Sequence, residues 1–127
     1  MFSDPATIRT ELRDRLKPLL PATWRIIDNL SQAVDTVVTV LYFEFTEVSS
    51  SVNGAALDRF TVAPKFDLVV ASAGAGDEDG ADADLVTLAH ALQQCDDIYW
   101  DTAKKERLSN GAIAWRFPLT LLSTIEE

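Results

Sequence analysis

Two long stretches of alternating apolar and polar residues, Val37–Val48 and Arg59–Ala73, constrain this chain more than any other feature. Alternation at period two is the pattern of a β-strand with distinct faces. A globular strand averages about five or six residues, and each of these runs is roughly twice that. The segment between them, Ser49–Asp58, is small and polar. The pair is expected to form a long β-hairpin, longer than a single domain needs for its own core. A hairpin that outruns its core points to a partner.

The faces of the two runs differ along their length. In the first, Val37, Thr39, Leu41, Phe43 and Phe45 share one face. Val38, Val40 and Tyr42 share the other, which turns polar at Glu44 and Thr46. The strand therefore begins buried on both sides and leaves the body as it proceeds. The returning run places Phe60, Val62, Phe66, Leu68 and Val70 on one face, and Thr61, Lys65 and Asp67 on the other. Pro64 has no N–H to donate to a ladder, so it marks an edge position or a bulge.

Helical signals flank the hairpin. Ile8, Leu12, Leu16 and Leu19 form an apolar stripe over Pro5–Lys17. Asp4 is placed to cap this helix and Pro5 occupies its first position, while Pro18 and Pro21 end it. Trp24–Asp28 is a short strand and Asn29–Ala33 a loop. After the hairpin, Gly74–Gly80 is a loop. A second helix spans about Asp82–Cys95, with Leu85, Leu88, Ala89 and Leu92 buried. Asp77, Glu78, Asp79, Asp82 and Asp84 cluster at its start, where the helix dipole favours negative charge. Ile98–Trp100 leads into a polar strand over Thr102–Leu108. Asn110-Gly111 is a hairpin turn signal. The last strand, Ala112–Thr124, buries Ile113, Trp115, Phe117, Leu119 and Leu121, with Pro118 again marking an edge or bulge. Glu126-Glu127 is an acidic tail. This order predicts an α+β fold over residues 1–127 as one domain: a mostly antiparallel sheet, two α-helices packed on one face, and a long protruding β-hairpin.

The chemistry-bearing residues do not assemble into a catalytic pattern. His90 and Cys95, the only residues of their types, lie five positions apart on one helix, about 140° around its axis. They do not converge as a nucleophile and its base. A single cysteine excludes an intramolecular disulfide and a multi-cysteine metal site. Starting a calcium loop at Asp77 puts Gly80 at its fourth position and Leu88 at its twelfth, where glycine at six and glutamate at twelve are required. Gly74-Ala75-Gly76 lacks the lysine and further glycine of a phosphate loop. These readings point away from an enzyme and away from a cofactor or metal. Of the three tryptophans, Trp24 and Trp115 are expected in the core and Trp100 at a partly exposed joint.

Charge narrows the partners. The formal net charge is -9, so a phosphate backbone is repelled, which argues against base-reading of nucleic acid. An acidic channel can nevertheless let a duplex slide without sticking. Lys104-Lys105-Glu106-Arg107 is a local basic patch, open to an edge-protecting reading or to docking of an acidic neighbouring subunit. The longest apolar-rich run, Val37–Phe45, is far short of the roughly 20 residues that span a bilayer, and the first residues carry no secretory pattern.

Several local patterns resemble the tail terminator (tail completion) proteins of long-tailed bacteriophages. They are Ile8-Arg9-Thr10-Glu11-Leu12-Arg13-Asp14-Arg15-Leu16 with Leu19-Leu20-Pro21, then Trp24-Arg25-Ile26-Ile27-Asp28, then Phe66-Asp67-Leu68-Val69-Val70. A Gly/Asp loop, Asp82-Ala83-Asp84-Leu85, and Asn110-Gly111-Ala112-Ile113-Ala114-Trp115-Arg116-Phe117-Pro118-Leu119-Thr120 follow in the same order. The resemblance implies a structural virion protein, assembled in the host cytoplasm. It implies a homo-oligomeric ring, a hexamer, on the head-proximal end of the tail tube. Such a ring ends tube growth and offers a joining surface to a head-side connector or stopper, with genomic DNA passing through the lumen. Candidate inter-subunit contacts are Glu47, Val52, Asn53, Leu57 and Arg59 around the hairpin tip, Asp77 and Asp79 in the acidic loop, and Lys104, Lys105 and Arg107 on the polar strand. Two alternatives stay open: another neck or minor tail protein, such as a stopper or adaptor, and a small ligand-binding α+β domain.

Overall fold

The computed structural model describes residues 2, 7–27, 38–52, 54–74, 77–95, 98–108 and 111–124. The expected cap Asp4, Pro5, the Asn29–Ala33 loop, Val37, Asn53, Asn110 and the Glu126-Glu127 tail lie outside the described residues.

The chain is an α+β domain built on a mostly antiparallel sheet. The sheet runs in the order β1 (Arg25–Ile27), β2 (Val40–Ser49), β5 (Thr61–Ala71), β8 (Ile113–Leu121), β6 (Ile98–Trp100). Two further strands, β7 (Lys104–Arg107) and β9 (Ser123–Thr124), pair with β8 and β5 respectively. The turn between β2 and β5 carries a separate two-stranded ribbon, β3 (Ser51–Val52) with β4 (Ala55–Ala56). Gly54, at φ 81, lies in its turn, a backbone region that glycine enters at little cost.

Helices α1 (Ile8–Leu16) and α2 (Glu78–Gln93) supply apolar stripes to one face of the sheet. Ile8, Leu12 and Leu16 join Leu88, Ala91 and Leu92 in a single core with Leu41, Phe43, Phe66, Leu68, Val70, Phe117, Leu119 and Leu121. Phe2 completes it, 1% exposed, held by a backbone hydrogen bond to the Leu122 carbonyl and roofed by the Arg15 guanidinium 3.9 Å from its ring centroid. A second, smaller cluster lies on the opposite face: Ile27, Val40, Tyr42, Val69, Ala71 and Ala114. The start of β2 is thus buried on both sides, and β2 becomes exposed from Phe45 onward.

Several boundaries differ from the sequence expectation for identifiable reasons. Helix α2 begins at Glu78 rather than near Asp82, because the Asp77 side chain accepts a hydrogen bond from the Gly80 N–H and caps it there. Lys17–Leu19 tightens into a 3-10 turn. That rotates Leu19 off the α1 stripe to the surface, and Leu20 is buried instead. Phe60 is not on a buried strand face: it is 44% exposed, in the turn before β5, with φ 65. Pro64 and Pro118 both sit in interior strands rather than at edges. Pro64 falls where β5 passes from its β8 partner to its β9 partner. It is also one residue from Lys65, which faces the β2 register shift between Phe45 and Glu47. Pro118 lies between the stretches of β8 that pair with β6 and with β7. A missing N–H costs least at such breaks.

The long hairpin is likewise woven into the sheet. β2 pairs with β5 from Val40–Ala71 to Ser49–Ala63, but β8 and β9 run along the other side of β5 as far as Thr61. What extends past the main sheet is the short tip carrying β3 and β4.

Candidate interface

The face of the sheet opposite α1 and α2 is ordered by register into cross-strand rows. One row is Glu47–Lys65–Thr120–Tyr99, from β2 to β6. Pairs Glu44–Asp67 and Asp67–Pro118 form the next, and Tyr42–Val69–Arg116–Lys104 a third. The face is apolar at the β1 end and polar toward the tip.

Arg116 organises the middle of this face. Its guanidinium reaches Asp67 at 2.8 Å, Glu44 at 3.1 Å and Glu106 at 3.1 Å. Burial works against its charge, but hydrogen bonds to Glu106, Asp67 and Glu44 outweigh that and hold its pKa above the ordinary arginine value. Beside it, burial pushes the Tyr42 phenol upward, the Arg116 charge opposes that, and Glu106 and Glu44 reinforce it. Arg116 escaped the sequence reading. Its only signal is that Glu44, Asp67 and Arg116 each interrupt an otherwise apolar strand, and aligning them requires the register of three strands.

Toward the tip the face becomes concave. An open groove of about 970 Å³ is lined by Glu47, Val52, Leu57, Tyr99, Trp100 and Pro118, among others. Its lining comes from the ribbon and Leu57, from β2 and β5, and from β6 and β8. Tyr99 is 56% exposed there. Three of the candidate contact residues, Glu47, Val52 and Leu57, converge on this groove. Glu47 pairs with Lys65 at 2.9 Å, an exposed bridge worth only about 0–1 kcal/mol and easily exchanged.

The remaining candidates lie elsewhere. Arg59 is exposed beside the tip and sits 4.8 Å from the Phe60 ring centroid. Asp77 serves as the cap of α2, and Asp79 is exposed in its first turn. Lys104, Lys105 and Arg107 lie on β7, an exposed strand that pairs with β8. Lys105 bonds Asp82 at 3.0 Å and lies over Trp115 at 5.2 Å. Trp24, Trp100 and Trp115 are all half-buried against the helix-side core, with Trp100 edge-on to Phe117 at 5.1 Å.

Among the described residues, no group of three His, Cys, Asp or Glu side chains is arranged to hold a metal ion. None of their helices is long and apolar enough to cross a membrane. No family model matches the chain, and no curated protein matches it.

Proposed function

We propose that this chain is a structural subunit of a phage tail, a terminator that assembles as a hexameric ring on the head-proximal end of the tail tube. The observation that carries the reading is the convergence of Glu47, Val52 and Leu57 on one open groove beside an exposed tip. These residues were singled out from the resemblance and the hairpin pattern. The element order also follows that of the resemblance: helix, short strand, long paired strands, helix, closing strands. In this role the ring ends tube growth and presents a joining surface to a head-side connector. The net charge of -9 suits a lumen through which DNA slides without binding.

Gold-labelled antibody against the chain, applied to tailed particles from cells carrying its gene, tests the location. Label at the head–tail junction supports the terminator reading. Label on the head-side connector or along the tail favours a stopper, adaptor or minor tail protein. A ligand-binding domain is the second reading, and the aromatic groove lined by Tyr99 and Trp100 is what favours it. Absence of label from particles would support that alternative.

A further inference from the structure

The tip half of the sheet is open at both of its edges. β1 covers β2 only from Val40 to Tyr42, and among the described residues no strand pairs with the outer side of β2 beyond that point. Phe45, Thr46, Glu47 and Val48 are all exposed there. At the other edge the charged strand β7 guards only the half of β8 from Ile113 to Arg116. The rest of β8 is bordered by β6, Ile98-Tyr99-Trp100, which carries no charge, proline or bulge. Among the described residues β6 too has no strand on its outer side. An unguarded edge of this kind is a template for a further strand.

The two open stretches lie in the same rows of the sheet. Phe45, Phe66, Leu119 and Trp100 form one row on the face that packs against the helices. Glu47, Lys65, Thr120 and Tyr99 form the next, on the opposite face. β2, β5, β8 and β6 alternate in direction, so β2 and β6 are antiparallel. A second copy set beside the first in the same orientation brings its β6 against β2 with the alternation of direction and both faces preserved. Aromatic then meets aromatic. Trp100 comes beside Phe45, whose ring is 37% exposed and lies 4.6 Å from that of Phe66. A foreign strand would fill one edge and leave the other open, whereas one repeated contact between copies fills both.

We infer that the open stretch of β2, from Phe45 to Ser49, pairs antiparallel with β6 of a second copy of this chain. The inference rests on the reading that the chain assembles into a ring, and it names the two edges that meet. Because the edges differ, the contact is heterologous and repeats into a closed ring or a filament.

Cross-linking of the full chain with one cysteine at each edge tests this. Glu47→Cys and Tyr99→Cys, both at exposed positions, are combined with Cys95→Ala, which removes the only native thiol. Within one subunit the two positions stand three strand spacings apart along the sheet, ~14 Å, beyond the reach of a short bismaleimide. Between paired copies they are cross-strand neighbours about 5 Å apart. The double variant gives a ladder of covalent multimers on a denaturing gel, ending at the ring, and neither single-cysteine chain gives one. Thr46→Cys in place of Glu47→Cys spares the Lys65 bridge and gives the same ladder. Thermal midpoints near wild type show that the variants are folded. Assembly at the wild-type mass without a ladder from either pair overturns the inference and leaves the ring reading standing. A covalent dimer from a single-cysteine chain shows two-fold pairing of like edges and also overturns it. A wild type that stays at the subunit mass overturns both.

Discussion

Glu44 on β2 and Asp67 on β5 are directly opposed in the antiparallel register, two like charges facing each other on the sheet face opposite α1 and α2. That arrangement is ordinarily destabilising. It is held by Arg116, one row away on β8, which bonds both carboxylates and Glu106 as well.

Removing the guanidinium therefore leaves three carboxylates crowded together. Arg116→Met is expected to cost about 2 kcal/mol in urea unfolding, less than a fully buried pair because the group is partly solvated. Adding Glu44→Gln and Asp67→Asn recovers most of it. An unchanged Arg116→Met midpoint at neutral pH would show that the cluster is only decorative.

Tyr42 predicts the alkaline limb. Its folded pKa lies above the unfolded value of 10.0, with burial the leading cause. The folded state therefore favours the protonated phenol. That stability is fully present below pH 10 and is lost as pH rises through the folded pKa. Tyr42→Phe, which cannot ionise, should flatten the fall in unfolding free energy above pH 10 relative to wild type. Parallel curves would contradict the assignment.

Ser72 is 1% exposed and its hydroxyl finds no partner among the described residues. An unpaired buried hydroxyl costs about 1–3 kcal/mol. Ser72→Ala should leave stability unchanged or raise it by up to about 1 kcal/mol, measured as a shift in thermal midpoint. A clear loss would reveal a bonded hydroxyl.

The tip is separable from the core. Ser49 and Ala63 form the last β2–β5 pair, and the ribbon beyond it belongs to its own small sheet. Replacing residues 51–58 by a single Asn-Gly turn should keep the fold, since shortening a loop costs little, while abolishing assembly. A variant that unfolds would place the tip in the folding unit.

The parts legible in the sequence were those governed by local periodicity. β2 and β5 announced themselves because Leu41, Phe43, Leu68 and Val70 alternate with residues that are themselves apolar at the buried end. Boundaries set by a single side chain were missed, as where Asp77 caps α2 across a stretch with the composition of a loop. Pro64 and Pro118 were legible as breaks but not as interior breaks, because only the pairing shows which neighbour ends there. The Arg116 cluster and the groove were out of reach for the same reason: their residues come from strands far apart in the chain, and register alone brings them together.

The most direct test of the central claim is the mass of the full chain in solution, read by light scattering across a wide concentration range. The account predicts a species of six times the 14.0 kDa subunit mass, with an open centre in negatively stained images. The subunit mass at every concentration, with no ring in the images, would contradict it.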